Sequence, residues 1–429
     1  MSVLGDYEFW YNLGNEQFDL GLTEDAIASY EHAIVIKPDF AEGWFQIGNV
    51  FEDDNDGEAA ITYYEKAVTI NPDFHEAWSK YGSLLHNLGR EDEAVICFNH
   101  ALKIKPHAYV IWLERGHSLR NLERYDEAID SYNHIVNIEL KNIETSFNYP
   151  WHWFHDAWRS QINLLSLVER YDEALIKCDR KLEIFQTDIS SWYQRGDLLC
   201  KLKRYHEALA NYEKVIQLHP DDYLAWHYRG EVFGYLGEVE QALASYDKAI
   251  EMYSDYYRTW YNRGLIFHSL GKYQAALANF DKTLDIYPEY EECWCDRGIT
   301  LHTLGEYESA INSYKKALQI YPNFSNALNH WGMSLHALGK YQDAIKKYNL
   351  AIENQPDYYQ AWKNKGVSQA RLYLWEDALL SCDRALEINP NDSQAWKDRG
   401  DILVNLEDFA EAIKSFDRAI QIEPKIPTS

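Results

Sequence analysis

No apolar run in this chain approaches the length of a bilayer crossing, so direct membrane insertion is not expected. Positive charge is scarce too: 41 Lys and Arg stand against 68 Asp and Glu, a formal net charge of −27 in 429 residues. Nucleic-acid backbones and anionic membranes both require a basic surface, so neither is expected as a partner. A basic partner, or a self-repelling soluble surface, fits better. The first ten residues, MSVLGDYEFW, hold neither a basic segment nor an apolar core, so no secretory signal is read there and a cytoplasmic location is expected. The six cysteines contain no C-x-x-C pair. Cys293 and Cys295 flank Trp294 too tightly for a zinc knuckle, which leaves reduced thiols in packing positions.

Signatures of catalysis are missing as well. His75-Glu76 and His206-Glu207 begin like H-E-x-x-H, but Ser79 and Ala210 stand where the second His is needed. Gly271-Lys272 and Gly339-Lys340 lack both the following Ser or Thr and the upstream glycine of a phosphate loop. There is no G-x-S-x-G elbow and no dinucleotide fingerprint. Neither a catalytic residue nor a cofactor is expected, and the one metal candidate is EDDNDGE at 52–58, with five carboxylates in seven positions. A twelve-residue calcium loop starting at Glu52 would end on Tyr63, where the bidentate Glu is required, so the metal reading fails.

What is present is periodicity. Aromatics at 15% and hydrophobics at 46% exclude a disordered chain. Trp10, Trp44, Trp78 and Trp112 are spaced by 34, as are Trp158, Trp192, Trp226, Trp260 and Trp294, then Trp362 and Trp396; Leu328 fills the vacant slot. Twelve copies result, with one interval of 46 between Trp112 and Trp158. Four residues after this slot comes Gly in eleven copies; sixteen after it comes Ala in all twelve, from Ala26 to Ala412; nine of eleven prolines share a further slot, from Pro38 to Pro424. Apolar residues at i, i+3, i+4 and i+7 on both sides of a short polar turn predict two amphipathic helices per copy. Gly and Ala would be small because paired helices touch there, Pro would end the second helix, and Trp would fill the seam between neighbours. EDDNDGE then falls in a helix–helix turn, with Asp54-Asn55 where six other copies place Leu-Gly.

These residues, W-x2-L-G with later Ala, aromatic, Ala and Pro, as in Trp10–Gly14, Ala26, Tyr30, Ala33 and Pro38, resemble the tetratricopeptide repeat family over about residues 7–424. The resemblance implies an all-α fold, an α-solenoid of about twelve antiparallel helix pairs in a right-handed superhelix, with a concave face lined by the first helix of each pair. It also implies a non-enzymatic scaffold that binds other proteins. A peptide-responsive sensor and an adaptor in a larger assembly are the alternatives. The family's carboxylate clamp for chaperone tails finds no match in any three consecutive copies.

Copy five departs from the pattern, with Ile162 for Gly, Lys181 in an Ala slot and Gln186 for Pro, and copy four has Leu140 for Pro. The extra twelve residues fall at the same junction, which divides the chain into copies 1–4 (1–140), an irregular aromatic insert (141–154), copies 5–12 (155–424) and a short tail (425–429). Phe147, Tyr149, Trp151 and Trp153 are the candidate partner loop there. By the same resemblance, positions on the first helix after the Trp slot would line the candidate groove. In copies one and two these are Glu8, Tyr11, Asn12, Asn15, Asp19, Glu42, Phe45, Gln46, Asn49, Glu52 and Asp53, an acidic, amide-rich surface suited to a basic peptide. Copies six to eight add Tyr193, His227, Tyr228, Glu231 and Tyr261, an aromatic strip. Arginines before the Gly slot (195, 229, 263, 297, 399) follow acids on the preceding second helix, Asp179, Glu213, Asp247, Asp281 and Asp383, which predicts inter-repeat ion pairs. His86, His268, His302 and His336 share one slot, as a hydrogen-bonded ladder or as ordinary groove residues. The last helix carries Ile413, Phe416 and Ile420 uncovered, a possible surface for self-association.

Overall fold

The computed structural model describes residues 6–137 and 151–423, and among them every regular element is a helix. There are 24, two per copy, from Tyr7–Asp19 and Thr23–Ile36 to Ser393–Asn405 and Phe409–Ile422. The chain divides into two units, Met1–Arg204 and Tyr205–Ser429, each a stack of antiparallel helix pairs. Among the described residues no helix is long and apolar enough to cross a membrane.

The repeated small residues have distinct causes. Ala at the sixteenth position after the Trp slot is at most 2% exposed in all twelve copies, sealed between the paired helices. In most copies Gly four residues after Trp makes room for a ring on the second helix of its own copy, while in copy eleven Gly366 faces the Cys382 sulfur. A Cβ on Gly48 would lie 2.6 Å from the Tyr64 ring, and one on Gly230 would lie 2.7 Å from Tyr246. Copy five exchanges the pair: Ile162 (1% exposed) stands for Gly and Cys178 (0%) for the ring, within one core cluster. Trp does more than fill the seam. In nine copies its indole N–H donates to the carbonyl six residues earlier, at the end of the previous copy, as in Trp78 to Pro72 (2.9 Å), Trp192 to Gln186 (2.9 Å) and Trp260 to Ser254 (2.8 Å), whereas the buried Trp158 makes no such bond. Proline is therefore not required for this clasp, only a backbone carbonyl.

A third slot emerges eleven residues after Trp, in the turn between paired helices. It is left-handed in all twelve copies: six are Gly, and Asn55, Glu123, Glu169, Lys203, Tyr373 and Glu407 hold φ between 58° and 62°. A side chain there costs roughly 1–2 kcal/mol, less for Asn. Tyr373→Gly, at a ring 78% exposed, is therefore expected to stabilise the protein by about 1 kcal/mol and Asn55→Gly by less, read from denaturant midpoints. Loss of stability in Tyr373→Gly would contradict the assignment.

Copies four and five pack directly on one another. Ile129, Tyr132, Phe154, Trp158 and Ile162 share a buried cluster, against which Trp153 also lies. The helix Trp151–Leu167 includes the last four residues of the expected insert.

Candidate functional site

A deep concavity in the first unit lies across the first helices of copies two to four: Ala41–Asp53, His75–Asn87 and Tyr109–Asn121. It is a cleft of about 690 Å³ lined by Tyr11, Glu42, Phe45, Gln46, Glu52, Phe74, Glu76, Lys80, Ser83, Lys105, Ile111 and Glu114, among others. Phe45 and Phe74 make the apolar wall, with ring centroids 5.0 Å apart. The polar wall is a hydrogen-bonded chain. Gln46 donates to the Tyr11 hydroxyl (3.3 Å), Asn49 donates to Gln46 (2.7 Å), and the Tyr64 hydroxyl reaches both Asn49 (2.8 Å) and Glu52 (2.6 Å). Lys80 pairs with Glu52 at 3.1 Å. On the far side Ser83 donates to Glu114 at 2.5 Å, and burial pushes the Glu114 carboxyl above the usual range despite that bond.

Five of the sequence candidates, Tyr11, Glu42, Phe45, Gln46 and Glu52, therefore line one cleft. The others do not line it. Asn49 and Asn15 accept from Tyr64 and Tyr30 (2.8 Å each), so these amides position their own copies. Glu8, Asn12, Asp19 and Asp53 are exposed. Lys80 and Glu114 occupy in copies three and four the slot that Gln46 holds in copy two, so extending the register two copies further would have found them.

EDDNDGE is a turn. The helix ends at Asp53, Asn55 takes the left-handed position, and the Asp56 carboxylate accepts from Ala59 N (3.1 Å) to cap the helix Gly57–Ile70. Among the described residues no group of three His, Cys, Asp or Glu is placed to hold a metal. None of the six cysteines is in a disulfide, and five of them are buried.

The aromatic strip needs one correction. His227 is 2% exposed, its Nδ1 3.0 Å from Thr259 Oγ1 and its ring 5.0 Å from Tyr256, so it presents no surface. Burial pushes its pKa down to about 4. Tyr228 stacks on Tyr212 at 5.5 Å, and Glu231 accepts from Tyr235 (2.9 Å). Tyr261 donates to Asp296 (2.6 Å), whose carboxyl burial holds above the usual range. Tyr193 is half-buried in the first unit. Of the candidate loop, Phe147 and Tyr149 lie outside the described residues, as does the Trp151 side chain, while Trp153 packs against the junction core.

The five expected arginine pairs all form, at 2.5–3.4 Å. Their carboxylates are about half exposed, so these are surface clasps rather than buried pairs. Four of the arginines also lie over the Trp of their own helix. The histidine slot forms rungs across copies: His268 to Thr300 (2.9 Å), His302 to Ser334 and His336 to Ser368 (2.8 Å each), with His86 between Ser118 and Glu91. In the last helix Phe409, Ile413 and Ile420 are about 60% exposed, and Phe416 is partly covered over Gly400.

Models of the tetratricopeptide repeat match residues 14–55, 41–142 in three copies, 189–323 and 329–426. Solved structures similar to the chain include the Cut9–Hcn1 hetero-tetramer of the APC/C, at 14% identity over 100% of this chain and 95% of that one, with a TM-score of 0.47. Yeast Tom70 is similar at 17% identity over 98% and 92%, with a TM-score of 0.43. YrrB, a TPR protein with an unusual peptide-binding site, is similar at 27% identity over 43% of this chain and 95% of its own, with a TM-score of 0.38. No curated protein matches.

Proposed function

Because the chain belongs to the tetratricopeptide repeat family, whose members bind protein or peptide partners, we propose that it is a non-catalytic scaffold whose first unit takes a basic peptide in the cleft of copies two to four. The observation that carries this reading is the make-up of the cleft: four carboxylates, Glu42, Glu52, Glu76 and Glu114, beside an aromatic wall. Only two lysines oppose them. Lys80 is paired to Glu52, and Lys105 lies 3.1 Å from His75. A cation entering beside Glu114 would meet a carboxylate already desolvated, where a charge-assisted bond is strongest, while Phe45 and Phe74 seat an adjacent apolar side chain.

The test is calorimetry with the peptide Gly-Lys-Leu-Gly-Lys-Leu-Gly, capped at both ends. Glu52→Lys with Asp53→Lys is expected to weaken binding about tenfold or more without loss of helicity. Unchanged affinity removes the acidic-cleft reading. Binding should also fall on acidification. Glu114 has a raised pKa, so it becomes neutral at a higher pH than an ordinary carboxylate, and its attraction for a cation is lost as pH drops through that raised value. Glu114→Gln should flatten this pH dependence. A dependence identical in both chains would contradict the role given to Glu114.

A further inference from the structure

The second unit holds a feature that the cleft does not use. At the turns joining copies seven, eight and nine, six tyrosines touch ring to ring: Tyr253 on Tyr223 (4.8 Å), Tyr223 on Tyr256 (5.4 Å), Tyr256 beside Tyr257 (6.2 Å), and Tyr257 against both Tyr287 (4.9 Å) and Tyr290 (5.3 Å). Tyr321 on Phe324 continues the run one copy further, at 5.9 Å. The outermost rings, Tyr253, Tyr287 and Tyr321, recur every 34 residues and are 46%, 41% and 48% exposed. Packing accounts for Tyr256 and Tyr290, which are half-buried beneath them, but not for three large exposed rings in register.

Around the first two exposed rings, Tyr253 and Tyr287, the charge is mainly acidic. Residues 219–223, 250–258 and 284–292 contain eight Asp and Glu, one Arg and no Lys. That single arginine displays what the surface accepts. The Arg258 guanidinium lies 5.9 Å from the Tyr257 ring centroid, and its Nε donates to the Tyr257 hydroxyl at 3.3 Å. A planar guanidinium stacks on an aromatic face and bonds at its rim in a way that a lysine ammonium does not.

We infer that this tyrosine edge of the second unit docks an extended, arginine-bearing segment of a partner protein, with one arginine on each exposed ring. The exposed rings come once per copy, at the ends of the second helices Val239–Met252, Tyr273–Ile286 and Tyr307–Ile320, so the segment that docks carries its arginines at a regular interval. Acids such as Asp255, Glu289 and Glu292 supply the complementary field, and Arg258 occupies the Tyr257 face already. This surface is separate from the cleft of the first unit and does not depend on it.

The probe is a dodecapeptide of four Arg-Gly-Ser triplets, titrated by calorimetry into the full chain, beside a Lys-Gly-Ser counterpart. The arginine peptide is expected to bind about tenfold tighter than the lysine one. Tyr253→Ser, Tyr287→Ser and Tyr321→Ser together should remove at least about tenfold of its affinity, while the three Phe substitutions retain it. Circular dichroism follows the fold of the triple serine chain, and the single Tyr287→Ser variant carries the same test if that chain unfolds. Glu52→Lys with Asp53→Lys should leave this binding unchanged, which separates the two surfaces. Equal binding of the lysine peptide, or affinity unaltered by the serine substitutions, would overturn the inference.

Discussion

Gly230→Ile is expected to destabilise the second unit by about 3 kcal/mol, because its Cβ would fall 2.7 Å from the ring of Tyr246, a side chain only 2% exposed. The helix-propensity gain on losing a glycine, roughly 0.5–1 kcal/mol, offsets only part of this. Tyr246→Cys alone should also destabilise, by about 3 kcal/mol, through the cavity it leaves. Together the two changes reproduce the arrangement of copy five, where Ile162 and Cys178 are both buried in one cluster. The double variant should therefore lose clearly less than the sum of the two, and urea denaturation of the four chains measures the coupling. Additive losses would mean that Gly and ring do not share one volume.

Asp188→Ala is expected to cost about 3 kcal/mol at neutral pH, although Asp188 is a single residue next to the surface. Its partner Lys181 fills a slot that most copies give to Ala, and the lysine side chain is 3% exposed, held by Asp188 at 2.9 Å. Burial favours the neutral form of Asp188, but the hydrogen bonds from Ser191 and Lys181 outweigh it and hold the carboxyl below its usual range. A group with a depressed folded pKa contributes stability above its unfolded value, near 4, and loses it as pH falls through the lower folded value. The difference between wild type and Asp188→Ala should thus shrink below about pH 4. Removing the lysine instead leaves only a carboxylate with access to water, so Lys181→Ala should cost less, and the double variant should recover much of the Asp188→Ala loss. Equal costs for the two single variants would contradict this asymmetry.

What could be read in the sequence was whatever repeats at a fixed slot. The helix pairs, the buried Ala and the five arginine pairs follow from the register alone, since a 34-residue step carries one geometry to every copy. Readings failed where the partner is backbone or a tyrosine ring. The Trp clasp ends on a carbonyl, which Pro72, Gln186 and Ser254 offer alike, so no residue type marks it. His227 occupies a first-helix position that is half-exposed in copy eight as Tyr261, yet Tyr256 from the next copy closes over it. In the first unit the slots located five lining residues of the cleft, but the asparagines expected to face a ligand bond the tyrosines of their own copies. The acidity of EDDNDGE turned out to be that of a capped turn with a left-handed Asn at its centre. The tyrosine edge went unread because its rings come from the ends of second helices and the turns, outside the slots that define the groove.

The most direct test of the central reading, a basic peptide seated among copies two to four, is amide hydrogen exchange on the full chain with and without saturating Gly-Lys-Leu-Gly-Lys-Leu-Gly. Protection is expected to rise in Ala41–Asp53, His75–Asn87 and Tyr109–Asn121, and to stay unchanged beyond residue 204. Binding that protects only the second unit, or that leaves these three helices unaltered, would contradict it.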